Sequence, residues 1–164
     1  MDLDLAEFAL NHALKLGAKY ADVRLETTRT NEFILKNGIP QMAGFDRVQG
    51  MGIKINSGGC FGFVSTNELE KEKIKEVIEK AMKVTSAACR ITEPAVMSEE
   101  PVETADYEVK QKVNLEDLSP KEKLNVLFDI EKSIASTKID VPGRFFSMAD
   151  FYTEKYFINS EGTK

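Results

Sequence analysis

The sequence predicts an α+β fold: an antiparallel β-sheet meander packed against helices, with a second helix-strand-strand unit at the C-terminal end. Three observations carry this. Polar and apolar residues alternate through residues 20–28, 31–36, 41–46, 49–56 and 61–66, which is the period of half-buried strands. The joints Asn37-Gly38 and Ser57-Gly58-Gly59 are hairpin signals, and connections this short leave no room for the crossover helix a parallel pair requires. Stretches of helical spacing flank this sheet-like region on both sides.

The first helix spans residues 3–16, with Leu5, Phe8, Ala9 and Leu16 on one side and Ala6, Leu10 and Ala13 on the next. So broad an apolar surface predicts burial against a sheet. Asp4, with Glu7 three residues on, supplies a cap, and Gly17 ends the helix in the left-handed conformation. After the strands, residues 68–84 place Ile74, Val77, Ile78, Ala81 and Met82 on one stripe and Lys and Glu on the other, so this helix should pack on the inner face of the sheet. The pattern then weakens into the Pro- and Glu-bearing sequence that includes Glu93-Pro94 and Ser98-Glu99-Glu100-Pro101, a connector hugging the surface.

Ser119-Pro120-Lys121-Glu122 is a helix start, with Ser119 as N-cap, Pro120 in the first turn and Glu122 closing a capping box. That helix runs to Ser136 with Val126, Leu127, Ile130 and Ile134 on its apolar side. Two strands follow, residues 143–150 and 153–159, ending in the turn Asn159-Ser160-Glu161-Gly162. The order helix, strand, strand, Gly-bearing turn repeats the opening of the chain, and Phe157-Ile158 before Gly162 echoes Phe33-Ile34 before Gly38. The expected organisation is residues 1–88 as helix, antiparallel sheet and helix, 89–117 as connector, and 118–164 as the start of a second unit.

At 164 residues the chain can bury a substantial core, roughly 70% of its unfolded surface. Its 22 basic and 27 acidic residues give a net charge of −5 without long blocks of either sign, which disfavours a nucleic-acid partner. No apolar run reaches the roughly 20 residues of a membrane span, and the acidic start Met1-Asp2-Leu3-Asp4 is the opposite of a signal peptide, so a cytoplasmic location is expected. Cys60 and Cys89 share no CxxC spacing and read as free thiols in a reducing compartment rather than as a disulfide.

Each chemistry-bearing residue has a plain structural reading that outweighs the functional one. His12 sits in an apolar helix without a second imidazole nearby in sequence, so a structural role is favoured over metal binding. Gly50-x-Gly52 and Gly58-Gly59-x-x-Gly62 fit neither a strand-to-helix dinucleotide turn nor a Walker loop, and are read as turn and bulge glycines. Cys60 lacks a His or Asn in motif relation to it and is read as a half-buried sheet residue; Cys89 is read as a surface thiol. The pair Glu99-Glu100 beside Pro101 is read as a solvated charge run rather than an acid and base.

Taken in order, Gly17-Ala18-Lys19-Tyr20-Ala21-Asp22-Val23-Arg24-Leu25-Glu26 closed by Lys36-Asn37-Gly38, then the glycine-rich run from Gly50 to Thr66 and the charged helix to Val84, resemble the N-terminal domain of the TldD/PmbA family. The likeness extends through the Ser-Pro-initiated helix to Asn159-Ser160-Glu161-Gly162 and rests on pattern and order. The family comprises bacterial and archaeal metallopeptidases also labelled modulators of DNA gyrase. Its chemistry comes from a His-Glu-x-x-x-His helix and a later Cys that hold zinc. Here the single histidine, His12, is followed by Ala13, so that motif is absent.

The resemblance therefore implies the N-terminal portion of a larger zinc metallopeptidase acting on unfolded peptides, truncated before the motif. This portion is expected to be accessory and substrate-guiding, with no catalytic, cofactor-binding or metal residue in the chain and zinc in a downstream part. The expected partners are unfolded peptide or the missing catalytic domain, in a homo- or hetero-oligomer. The alternative is a free-standing module that binds a peptide or partner at a sheet edge around residues 153–159.

Overall fold

Thirteen residues from Leu3 to Lys15 form α1, and its buried positions are Leu5, Ala6, Ala9 and Ala13. The small Ala6, Ala9 and Ala13, each fully withdrawn from water, let the helix backbone lie close to what it covers. The buried stripe is thus the alanine side; Leu16, expected on the apolar side, stays 40% exposed. The predicted Asp4 cap is also corrected, because the N-cap is Asp2 without a side-chain cap bond and Asp4 lies inside the first turn, where a negative charge suits the helix dipole. Gly17 takes the left-handed conformation at φ +94°, as predicted.

The computed structural model describes residues 2–91, 93–98 and 100–164. Strands β1 (Tyr20–Lys36), β2 (Ile39–Ser57), β3 (Cys60–Thr66) and β4 (Phe145–Asn159) make a four-stranded sheet in the order β3-β2-β1-β4, with α2 (Lys71–Ala88) and α3 (Pro120–Ser136) as its remaining helices. This is the predicted α+β class. Each of three expected strand pairs is a single long strand, because the polar interruptions between them keep extended backbone. A short 3-10 turn at Leu115–Asp117, which sequence periodicity does not reveal, precedes α3.

Two compact units emerge. The first comprises Met1–Thr27, Gln49–Tyr107 and Glu154–Lys164. Its core joins Ala21, Val23 and Leu25 of β1, Met51, Ile53 and Ile55 of β2, and Ile158 of β4 to the α1 alanines and to Ile74, Ile78 and Met82 of α2. Each fully buried Ile adds about 1.5–3 kcal/mol. The β2–β3 hairpin is in antiparallel register from Met51 opposite Thr66 to Ser57 opposite Cys60. Its turn residues Gly58 and Gly59 have φ of +65° and +90°. The connector does follow the surface of this unit: Ala95 N donates to Gly59 O at 2.8 Å, and Lys164 N donates to Glu103 O at 3.0 Å.

The second unit comprises Thr28–Val48 and Glu108–Thr153. Its smaller core is Phe33, Leu35 and Leu127, with Leu124, Phe128, Phe146 and Met148 against it. The Ser119 capping box is present: Glu122 N donates to Ser119 Oγ at 3.3 Å, and Ser119 N donates to Glu122 Oε2 at 2.8 Å. The predicted apolar side of α3 is rotated, however. Leu124, Leu127 and Phe128 face the core, whereas Val126 and Ile130 remain 50% and 42% exposed. The cause is polar: Lys123 turns inward to reach Asp150, and this fixes which face of α3 is covered.

Candidate functional site

Within the first unit, residues from four parts of the chain meet around the β2–β3 turn. Lys19, Tyr20, Asn56, the turn glycines, Pro94, Ala95, Met97 and Glu161 line a cavity of about 370 Å³. The turn itself is held from inside, because Asn56 Oδ1 accepts from Gly59 N at 3.1 Å while Asn56 O accepts from Lys19 N at 2.9 Å. Pro94 packs so closely on Gly59 that an added Cβ there would lie 3.1 Å from the Pro94 Cα.

Tyr20 donates its hydroxyl proton to Asp22 Oδ2 at 3.2 Å. Burial pushes the phenol above its ordinary range, and the neighbouring Asp22 charge and hydrogen bond add to that. Asp22 is 2% exposed. Its other oxygen makes no hydrogen bond and has the Arg24 guanidinium at 3.4 Å, a charge contact without hydrogen-bond geometry. This arrangement holds the proton on the phenol, but it places no nucleophile beside a base.

Cys60 and Cys89 correct the sequence reading: they are joined as a disulfide, with Cα atoms 5.4 Å apart, a spacing that suits the bond. The pairing is invisible in the sequence because it depends on α2 running back along the hairpin until its C-cap, Cys89, meets the first residue of β3. Cys60 is 7% exposed on the inner side, as expected of a sheet residue, but neither sulfur is a free thiol. Gly58 and Gly59 are turn glycines as expected, but Gly62 is neither turn nor bulge: it pairs with Ile55 in regular register and is a close-approach glycine, where an added Cβ would run into the Thr85 side chain.

His12 stacks on Phe8 with ring centroids 5.9 Å apart, and its Nε2 is buried without a hydrogen bond, 3.5 Å from Glu79 Oε1. Among the described residues no three His, Cys, Asp or Glu side chains lie close enough to hold a metal ion. The zinc of the resembling family therefore does not fit the donors described here: one aromatic-stacked imidazole and two oxidised sulfurs cannot form its site. Glu99 lies outside the described residues; Glu100 is exposed and accepts from Ser98 Oγ at 3.0 Å. No described helix is long and apolar enough to cross a membrane.

Comparison with known proteins gives this architecture relatives. The chain is 25% identical over 146 residues to a metalloprotease of Methanocaldococcus jannaschii, covering 88% of this chain and 32% of the relative. It is 33% identical over 69 residues to a metalloprotease of Methanothermobacter thermautotrophicus, covering 42% of this chain and 15% of that one. The chain thus spans at most about a third of the curated relatives it matches. Its fold is shared with TldE from Thermococcus kodakarensis, at TM-score 0.72 and 21% identity over 96% of this chain and 35% of the other. A candidate modulator of DNA gyrase from Bacteroides thetaiotaomicron superposes at TM-score 0.72 and 22% identity over 98% of this chain and 37% of the other. The model of PmbA/TldA metallopeptidase domain 1 matches residues 21–85, the stretch from β1 to the last turns of α2. Over those residues the chain is similar to the first domain of the PmbA/TldA metallopeptidases.

Proposed function

We propose that this chain is the accessory, substrate-guiding portion of a zinc metallopeptidase that acts on unfolded peptides, with the catalytic metal supplied by residues outside those described. The observation that carries the reading is the match of residues 21–85 to the family's first domain. In this reading the chain holds extended substrate, and its partner is the polypeptide bearing the His-Glu-x-x-x-His helix, in a homo- or hetero-oligomer inside the cytoplasm.

The test uses fluorescent unfolded peptides, the purified chain, and the chain combined with a polypeptide carrying that motif from the same source. Peptide should cross-link to the chain, and hydrolysis should require the motif-bearing polypeptide and zinc. Peptide cleavage by the chain and zinc alone would sink the accessory role, and absence of cross-linking would sink substrate guiding.

A second reading, a module that binds a peptide at a sheet edge, is favoured by the position of β4 at one end of the strand order. An extended peptide would add there by backbone hydrogen bonds. Phe157→Pro removes one backbone donor from that strand, and peptide affinity that does not respond to it would dismiss this mode.

A further inference from the structure

The segment after α2 is held to the first unit by very little apolar burial. Arg90, Glu93, Pro94, Val96 and Met97 are all exposed, Val96 at 97%. Among the described residues from Arg90 to Met97, its anchors to the unit cluster at the β2–β3 turn: the Cys60–Cys89 disulfide at its root, the Ala95 N to Gly59 O bond of 2.8 Å, and the packing of Pro94 on Gly59, while the next anchors lie further on, where Glu103 and Ala105 bond to Lys164. The last turn of α2 adds the Ser57 Oγ to Ser86 Oγ contact at 3.0 Å. Segments with so few buried contacts open locally at low free-energy cost, so a covalent bond at their root dominates their order.

We propose that the Cys60–Cys89 pair is a redox latch. Oxidised, it pins the end of α2 and the start of the connector to the turn; reduced, it releases them and opens the cavity that Pro94, Ala95 and Met97 help to line. Cys60 is buried and Cys89 half-buried, so an external thiolate attacks the Cys89 sulfur. That attack breaks the bond and expels Cys60 thiolate, which takes up a proton. A second small thiol then resolves the mixed disulfide, leaving Cys89 thiol and one small-molecule disulfide. Two electrons pass from two small thiols to the protein, and a small-molecule disulfide such as oxidised glutathione reverses the sequence.

The experiment equilibrates the full chain in reduced and oxidised glutathione mixtures, traps thiols by alkylation and reads the mass. Parallel samples are digested briefly with trypsin, and cleavage after Arg90 is compared with cleavage after Lys80 in the middle of α2. Reduced protein should carry two alkyl groups and oxidised protein none. Cleavage after Arg90 should be at least roughly tenfold faster in the reduced form, with cleavage after Lys80 changed less than about twofold. Cys89→Ser and Cys60→Ser should cleave after Arg90 at the reduced rate in both buffers. Since Cys60 is buried, Cys89→Ser is the variant to trust if Cys60→Ser unfolds. The proposal is overturned by equal Arg90 cleavage in both states, by thiols that stay alkylatable in oxidised glutathione, or by cleavage that rises equally at Lys80.

Discussion

Lys123 Nζ lies 2.8 Å from Asp150 Oδ2, with the two side chains only 6% and 11% exposed. Asp150 Oδ1 also accepts from Asn31 Nδ2 at 2.7 Å, so helix α3 and strands β1 and β4 are tied by one withdrawn charge pair. Removing one partner of such a pair strands the other charge away from water, whereas removing both costs far less. Lys123→Met should therefore lower unfolding free energy by about 3 kcal/mol, and adding Asp150→Asn should recover a large part of it. Urea unfolding of the two single variants and the double variant measures this. Equal and additive losses would show that the pair is not coupled.

Gly62 predicts a steric rather than a conformational penalty. A Cβ at this position would collide with the Thr85 side chain and sit 3.3 Å from Ile55 Cγ1, both inside the first unit's core. Gly62→Ala should cost about 1–3 kcal/mol, and Thr85→Ala in the same chain should restore part of it by vacating the space. Thermal melts of the four-member cycle give the coupling.

Sequence and structure agree where the signal is local. Asn37-Gly38 announces a tight turn, Ser119-Pro120-Lys121-Glu122 announces a capped helix, and the stripe Ile74, Ile78, Met82 announces the covered face of α2; all three are found. What escaped depends on residues far apart in the chain. Apolar periodicity ranks Val126 and Ile130 above Lys123 and so picks the wrong face of α3, because the inward lysine is matched by Asp150 far along the chain on β4. Spacing motifs report metal and redox sites on one local segment and so miss the disulfide, since Cys60 and Cys89 meet only after α2 folds back. Of the candidate site, Tyr20, Asp22, Asn56 and Pro94 carry no chemical motif that would bring them together, and the turn glycines alone have a local signal for their conformation.

The capping box gives α3 a pH dependence of definite sign. Ser119's hydroxyl and backbone N–H both bond to Glu122, and these hold its carboxyl below the usual value of 4.5. A carboxylate depressed in the folded state contributes stability that is complete above its ordinary value and is lost as pH falls through the folded one. Wild-type Tm should therefore drop in that acidic window more steeply than the Tm of Glu122→Gln. Ser119→Ala should cost about 1 kcal/mol at neutral pH through the lost cap. Parallel slopes for wild type and Glu122→Gln would remove Glu122 as the titrating group.

Tyr20 has the opposite dependence. Its phenol is raised above the usual 10.0 by burial and by Asp22, so the folded state retains the proton longer than the unfolded chain. The associated stability is complete below the ordinary value and declines as pH rises above it, until the folded phenol itself ionises. Phenolate absorbance should show one tyrosine titrating late, and Asp22→Asn should move it back toward the others. No movement on that substitution would leave burial as the sole cause.

Gly38 and Gly143 make a matched pair that separates backbone conformation from space. Gly38 has φ +76°, following Asn37 at φ +49°, and the Asn37 side chain accepts from Arg144 N at 2.7 Å. A Cβ at Gly38 would meet nothing closer than Glu131 Oε1 at 3.5 Å, so the site is roomy and the penalty of substitution is conformational. Gly143 has no positive φ and open space around its would-be Cβ. Gly38→Ala should therefore destabilise by about 1–2 kcal/mol, the ordinary cost of a left-handed residue with a side chain. Gly143→Ala should be neutral or stabilise slightly, because alanine restricts the unfolded chain without straining the folded one. Urea denaturation of both variants decides the matter: comparable losses at the two sites would mean that steric surroundings, not the left-handed backbone, require the glycine after Asn37.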